Sequence, residues 1–150
     1  MNKEKRYQRI YIQLEQLLKK TGDLDARMAT VSAVLHHKLG MVLWTGFYSL
    51  KEGELIVKSY QGPLACQVLK KNTGVCWTAV NKQKTIIVPD VHQFAGHIAC
   101  DPRSKSEIVV PVFDTDKKIK WVLDIDSKVL NRFDETDARA LEKITGLLFL

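Results

Sequence analysis

Two strand–turn–strand units do most to limit the folds open to this chain. Residues 41–50, rich in Val, Trp, Thr, Phe and Tyr, have strand composition and meet residues 55–60 across Lys51-Glu52-Gly53-Glu54. Residues 107–113 and 119–125 repeat the arrangement across the turn 114–118. Helices bracket both units. Tyr7, Ile10, Tyr11, Leu14, Leu17 and Leu18 give residues 3–20 an amphipathic period. Met28, Val31, Leu35 and Leu39 mark a second helix over 24–39, stopped by Gly40. A short helix over 75–81, a buried strand over 85–88 and a closing helix capped by Asp134 complete the series. Ala140, Leu141, Ile144 and Leu148 form the inner face of that last helix. Hairpins joined in this way predict an α+β layer fold: a central antiparallel sheet, helices mainly on one face, one domain over 1–150.

Between the hairpins, residues 88–112 hold a long polar loop that carries His92, His97 and Cys100 and runs into an apolar strand. Loops of this length without periodicity are usually functional or disordered. Phe94, Ile98 and the lack of repeated polar residues favour function. The loop is the candidate site.

The composition excludes several classes. No apolar run approaches the roughly 20 residues needed to span a bilayer. The start M-N-K-E-K-R-Y has no apolar segment behind it, so a cytoplasmic protein with reduced thiols is expected. The net charge of +6 comes from basic residues scattered in small groups, which reads as a solvated surface rather than a nucleic-acid track. No membrane or nucleic-acid partner is expected.

Cys66, Cys76 and Cys100 include no C-x-x-C pair. Only His97 and Cys100 form a close pair of metal-type ligands, and structural zinc sites draw on two such pairs, so neither metal nor cofactor is expected. Cys66, in an apolar run, reads alone as a core residue. Cys76, near a helix start, reads as a thiol of lowered pKa, and Arg103 and Lys105 read as neighbours that favour a Cys100 thiolate. His36 and His37 read as surface residues. Asp124 and Asp126 in L-D-I-D-S share a strand face, and Glu107 opens another strand. Two adjacent carboxylates repel, which keeps a proton on one of them; a solvated strand end is the plainer alternative. Trp44 in W-T-G-F-Y suits either the core or an aromatic pocket wall.

Several blocks together resemble one family. These are G-H-I-A-C-D-x-x-S-x-S-E-I-V-V-P (96–111), V-L-D-I-D-S (122–127), P-L-A-C (63–66), G-V-C-x-T-A (74–79) and W-T-G-F-Y (44–48). They are similar to the free methionine-(R)-sulfoxide reductases, single-domain proteins of the GAF fold. The resemblance covers nearly the whole chain and includes the spacing of all three cysteines.

It implies that Cys100 attacks the sulfoxide sulfur of free methionine-(R)-sulfoxide and becomes a sulfenic acid. Cys66 then condenses with it to a disulfide that thioredoxin reduces, with Cys76 as the alternative or relay thiol. Glu107, Asp124 and Asp126 are implied to polarise the sulfoxide oxygen, and Trp44 to pack against the substrate methyl group. Trp77 after Cys76, Leu43 before Trp44 and Ala95 before G-H-I-A-C depart from the family pattern. A homodimer paired through the first and last helices is a further expectation. The rival readings are a non-catalytic ligand-binding module and a redox-sensing one.

Overall fold

The computed structural model describes residues 1–97 and 100–150. Helices α1 (Lys3–Leu18) and α2 (Leu24–Lys38) precede the hairpin of β1 (Val42–Lys51) and β2 (Glu54–Gln61). A two-residue strand β3 (Val68–Leu69), helix α3 (Gly74–Lys82) and strand β4 (Ile86–Val88) lead to the hairpin of β5 (Ser106–Phe113) and β6 (Ile119–Ser127). Helix α4 (Glu135–Gly146) follows.

The six strands form one antiparallel sheet in the order β3-β2-β1-β6-β5-β4. The two hairpins lie side by side, joined where β1 pairs with β6. Strand alternation then sorts the side chains onto two faces. Phe47, Ile108, Val110, Leu123 and Ile125 point to one face and pack with Leu14, Leu35 and Leu141 of α1, α2 and α4. Trp44, Tyr48, Val109 and Val122 point to the other and pack with Val75, Cys76, Trp77 and Ala79 of α3. The expected α+β architecture, with helices mainly on one face, is present. None of the helices among the described residues is long and apolar enough to cross a membrane.

Local chemistry sets the helix starts. Asn2, Asp23 and Asp134 each accept a hydrogen bond from a backbone N–H in the first turn of α1, α2 and α4, which offsets the unpaired donors there. Asp137 completes a reciprocal cap with Asp134. It is also fully buried, accepting from Tyr7 Oη at 2.5 Å and Lys3 Nζ at 2.6 Å, and so ties α1 to α4. His36 is not a free surface residue. It is half-buried with Nδ1 3.2 Å from Thr45 Oγ1, linking α2 to β1, while His37 is exposed as expected.

Candidate active site

On the α3 side of the sheet, β5 and β6 bring Glu107, Asp124 and Asp126 together. Glu107 pairs across the ladder with Asp126, and Val109 with Asp124, so all three carboxyl groups rise from one face. Glu107 and Asp124 are 5% and 6% exposed, which rules out the solvated strand end. Burial raises the pKa of all three. For Glu107 repulsion from Asp124 and Asp126 adds to it, and for Asp126 repulsion from Asp124 does. Ser104, at the end of the loop, donates to Asp126 Oδ1 at 3.0 Å and opposes that rise. The site therefore favours the protonated form of these groups more than an exposed strand end would.

Helix α3 delivers Cys76 to the same place. Its sulfur and one oxygen each of Glu107 and Asp124 lie within 4.8 Å of one another. The expected lowering of its pKa at a helix start is overturned: full burial, then the fields of Asp124 and Glu107, push the thiol well up. Among the described residues, Cys76, Glu107 and Asp124 are the set spaced to hold a cation, but all three sit where burial favours the protonated form.

Cys66 and Cys100 are joined by a disulfide with Cα atoms 5.7 Å apart, linking the segment before β3 to the long loop. Cys66 is half-buried rather than a core residue, and Cys100 is exposed. Arg103 does not serve Cys100. It is bound to Asp101, Nη2 to Oδ2 at 2.7 Å and Nε to Oδ1 at 3.0 Å, which lowers the Asp101 pKa to about 2. Ile98 and Ala99, inside the G-H-I-A-C block, lie outside the described residues.

Trp44 is buried and stacked, its ring centroid 5.7 Å from that of Tyr48 and 5.3 Å from that of Tyr60. Gly46 makes room for this stack. A Cβ there would lie 2.4 Å from Tyr60 Cβ and 2.7 Å from Trp44 Cη2. Gly62, at φ +118°, lets the chain leave β2 close to Leu43, whose carbonyl oxygen a Cβ would approach to 2.5 Å.

These groups enclose a cavity of about 220 Å³ lined by Trp44, Tyr48, the three cysteines and the three carboxyl groups. That is below the roughly 300–1,000 Å³ of pockets for drug-sized ligands, and fits a small metabolite. Among the described residues, three buried polar atoms on its wall have no protein partner: Trp44 Nε1, His97 Nε2 and Asp124 Oδ1. Native proteins rarely leave such atoms unpaired, so water or a polar ligand is expected to meet them.

All seven candidate residues thus line one cavity. Three others there were given no role in the reaction by the sequence. Tyr48 donates to the Cys66 carbonyl at 3.4 Å, Ser104 holds Asp126, and His97 Nδ1 lies 4.0 Å from Glu107 Oε1. Only His97 carried a signal, its place in the loop close to Cys100, a metal-type pair that by itself falls short of a zinc site. Trp77 does not line the cavity; it is buried in the cluster behind it, its N–H donating to the Leu69 carbonyl at 3.4 Å.

A small domain with a carboxyl-lined ligand cavity and a disulfide on its wall is the class that fold and site define. Residues 21–148 match the family model of the GAF domain. GAF domain-containing protein A of Dictyostelium discoideum is 45% identical, over 98% of this chain and 92% of that protein. The free methionine-R-sulfoxide reductase of Escherichia coli is 38% identical, over 99% of this chain and 89% of its own. Among solved structures, a free methionine-R-sulfoxide reductase from Neisseria meningitidis, in complex with its substrate, superposes with a TM-score of 0.94. It is 39% identical, and the match covers 99% of this chain and 89% of that one. The chain belongs to the GAF-domain family, among the free methionine-R-sulfoxide reductases.

Proposed function

We propose that the chain reduces free L-methionine-(R)-S-oxide to methionine with its own thiols. The observation that carries this is the Cys66–Cys100 disulfide on the wall of a cavity that also holds Glu107, Asp124 and Asp126, whose pKa values burial raises. The E. coli and N. meningitidis relatives support it by their activity.

In this reading the Cys100 thiolate attacks the sulfoxide sulfur. The sulfoxide oxygen is a poor leaving group until it is protonated or strongly hydrogen-bonded, and Glu107, Asp124 and Asp126 supply that proton. Methionine leaves, and the oxygen passes to Cys100 as a sulfenic acid. The Cys66 thiol then displaces it as water and closes the disulfide. Two thiols are oxidised, the substrate sulfur gains two electrons, and one water is released. Trp44 packs against the substrate methyl group, while its free N–H and Asp124 Oδ1 meet the polar groups. Cys76, kept protonated by burial, is the reserve thiol. Thioredoxin reopens the disulfide, as befits a cytoplasmic enzyme.

The test is methionine release from the R and S epimers separately, with thioredoxin, thioredoxin reductase and NADPH. Turnover of R alone, lost in Cys100→Ser, is the expected result. Failure of both epimers, with dithiothreitol also tried, sinks the proposal and leaves the non-catalytic ligand or redox module. The 45% identical relative named only for its domain keeps that second reading in play.

A further inference from the structure

Two positions to either side of Cys66, beyond Ala65 and Gln67, stand apolar side chains turned to solvent. Leu64 is 85% exposed and Val68 50% exposed. Single exposed apolar residues are ordinary on protein surfaces. These two differ in their setting. Both line the active-site cavity while remaining exposed, two residues to either side of a disulfide-bonded cysteine. Val68 belongs to β3, the short edge strand of the sheet. Lys70 and Lys71 follow directly; both are exposed and outside the ion pairs among the described residues. The neighbouring Arg103 is neutralised by Asp101.

Resting on the thiol-reductase reading above, we infer that Leu64 and Val68, bordered by Lys70 and Lys71, are the seat of a protein dithiol reductant that reopens the Cys66–Cys100 disulfide. The chemistry of the site selects the occupant. Only a thiol donor has reason to approach a disulfide there, and an apolar strip beside the sulfur orients a macromolecule as it could not orient a small thiol. The lysine border and the chain's net charge of +6 select a partner with an apolar collar around its reactive thiol and acidic groups beyond it. The seated partner's thiolate attacks the Cys66 sulfur, forming a mixed disulfide and releasing the Cys100 sulfur as a thiolate. The partner's second thiol then attacks its own sulfur in that mixed disulfide and releases Cys66. The partner leaves as a disulfide, and two electrons have passed to this chain.

The experiment follows the opening of the Cys66–Cys100 disulfide itself, by thiol labelling of the oxidised protein mixed with reduced thioredoxin or with dithiothreitol. It uses no sulfoxide, so its result stands apart from the question of substrate. For Leu64→Ser/Val68→Ser the thioredoxin rate is expected to fall about tenfold, the usual effect of truncating central apolar anchors, with the dithiothreitol rate unchanged. Lys70→Glu is expected to slow thioredoxin at low ionic strength and to leave dithiothreitol unaffected. Either of two results overturns the inference: both rates falling in parallel in the double variant, or native and double-variant protein reacting equally fast with thioredoxin.

Discussion

Glu107 and Asp126 stand directly opposite each other on β5 and β6, with Asp124 beside them on the same face. Like groups at such a cross-strand position repel when both are charged. Burial favours the uncharged form of both groups, which lessens that repulsion. Glu107→Gln is therefore expected to slow the chemical step by roughly 10²- to 10⁴-fold, the range for loss of a general acid, while weakening substrate binding less. Single-turnover kinetics against substrate concentration separate the two, and an unchanged chemical step removes Glu107 from the mechanism. In native protein the rate should fall as pH rises through the raised carboxyl pKa.

The same carboxyl group has the opposite effect on stability. Its folded pKa is raised, so the folded state binds more protons than the unfolded chain above the ordinary carboxylate range. Its cost is absent below about pH 4 and grows as pH rises toward the folded value. Glu107→Gln should thus melt at a higher temperature than native protein near pH 7 and lose that advantage near pH 4. Thermal unfolding at both values checks the sign.

Thiol roles separate by turnover number. Cys100→Ser is expected to release no methionine. Cys66→Ser should release about one equivalent per protein and then stall with thioredoxin, because a sulfenic acid without its partner cannot close the disulfide. Full multiple turnover in Cys66→Ser would transfer the resolving role to Cys76.

Gly46 is where the aromatic wall is most sensitive. Gly46→Ala places a methyl 2.4 Å from Tyr60 Cβ and 2.7 Å from the Trp44 ring. Both the β2 backbone at Tyr60 and the Trp44 ring have to shift, at about 1–3 kcal/mol or more for overpacking. Urea unfolding should show the loss, with changed tryptophan fluorescence and a raised KM for the sulfoxide.

Trp77 is expected to matter for the fold only. Trp77→Phe removes the hydrogen bond to the Leu69 carbonyl, worth about 0.5–1.5 kcal/mol, without touching the cavity. Stability should drop by that amount with the sulfoxide KM unaltered; a changed KM would contradict the placement of this ring.

Much of this site is written locally. The alternation in L-D-I-D-S already puts Asp124 and Asp126 on one face, and the turn residues mark both hairpins. What local pattern cannot carry is what covers a strand end. Helix α3 and Ser104 close over the carboxyl groups, turning a plausible solvated tip into a buried acid cluster. Cys76 shows the same limit: its nearness to a helix start is visible in the chain, but the burial that outweighs it comes from β5 and β6. Arg103 was diverted by a nearer carboxylate, Asp101. The pairing of β1 with β6, which sets Gly46 opposite Asp124 and Trp44 opposite Asp126, is a long-range choice with no local mark.

The disulfide between Cys66 and Cys100 closes a loop of 34 residues. On the chain-entropy model such a closure removes roughly 3–4 kcal/mol of freedom from the unfolded chain. Folding stability then becomes a record of redox history. The oxidised molecule is harder to unfold than the reduced one, and each reduction that restores the thiols also lowers resistance to heat and proteolysis. A protein acting in this way would be most durable when spent and most vulnerable when ready to react.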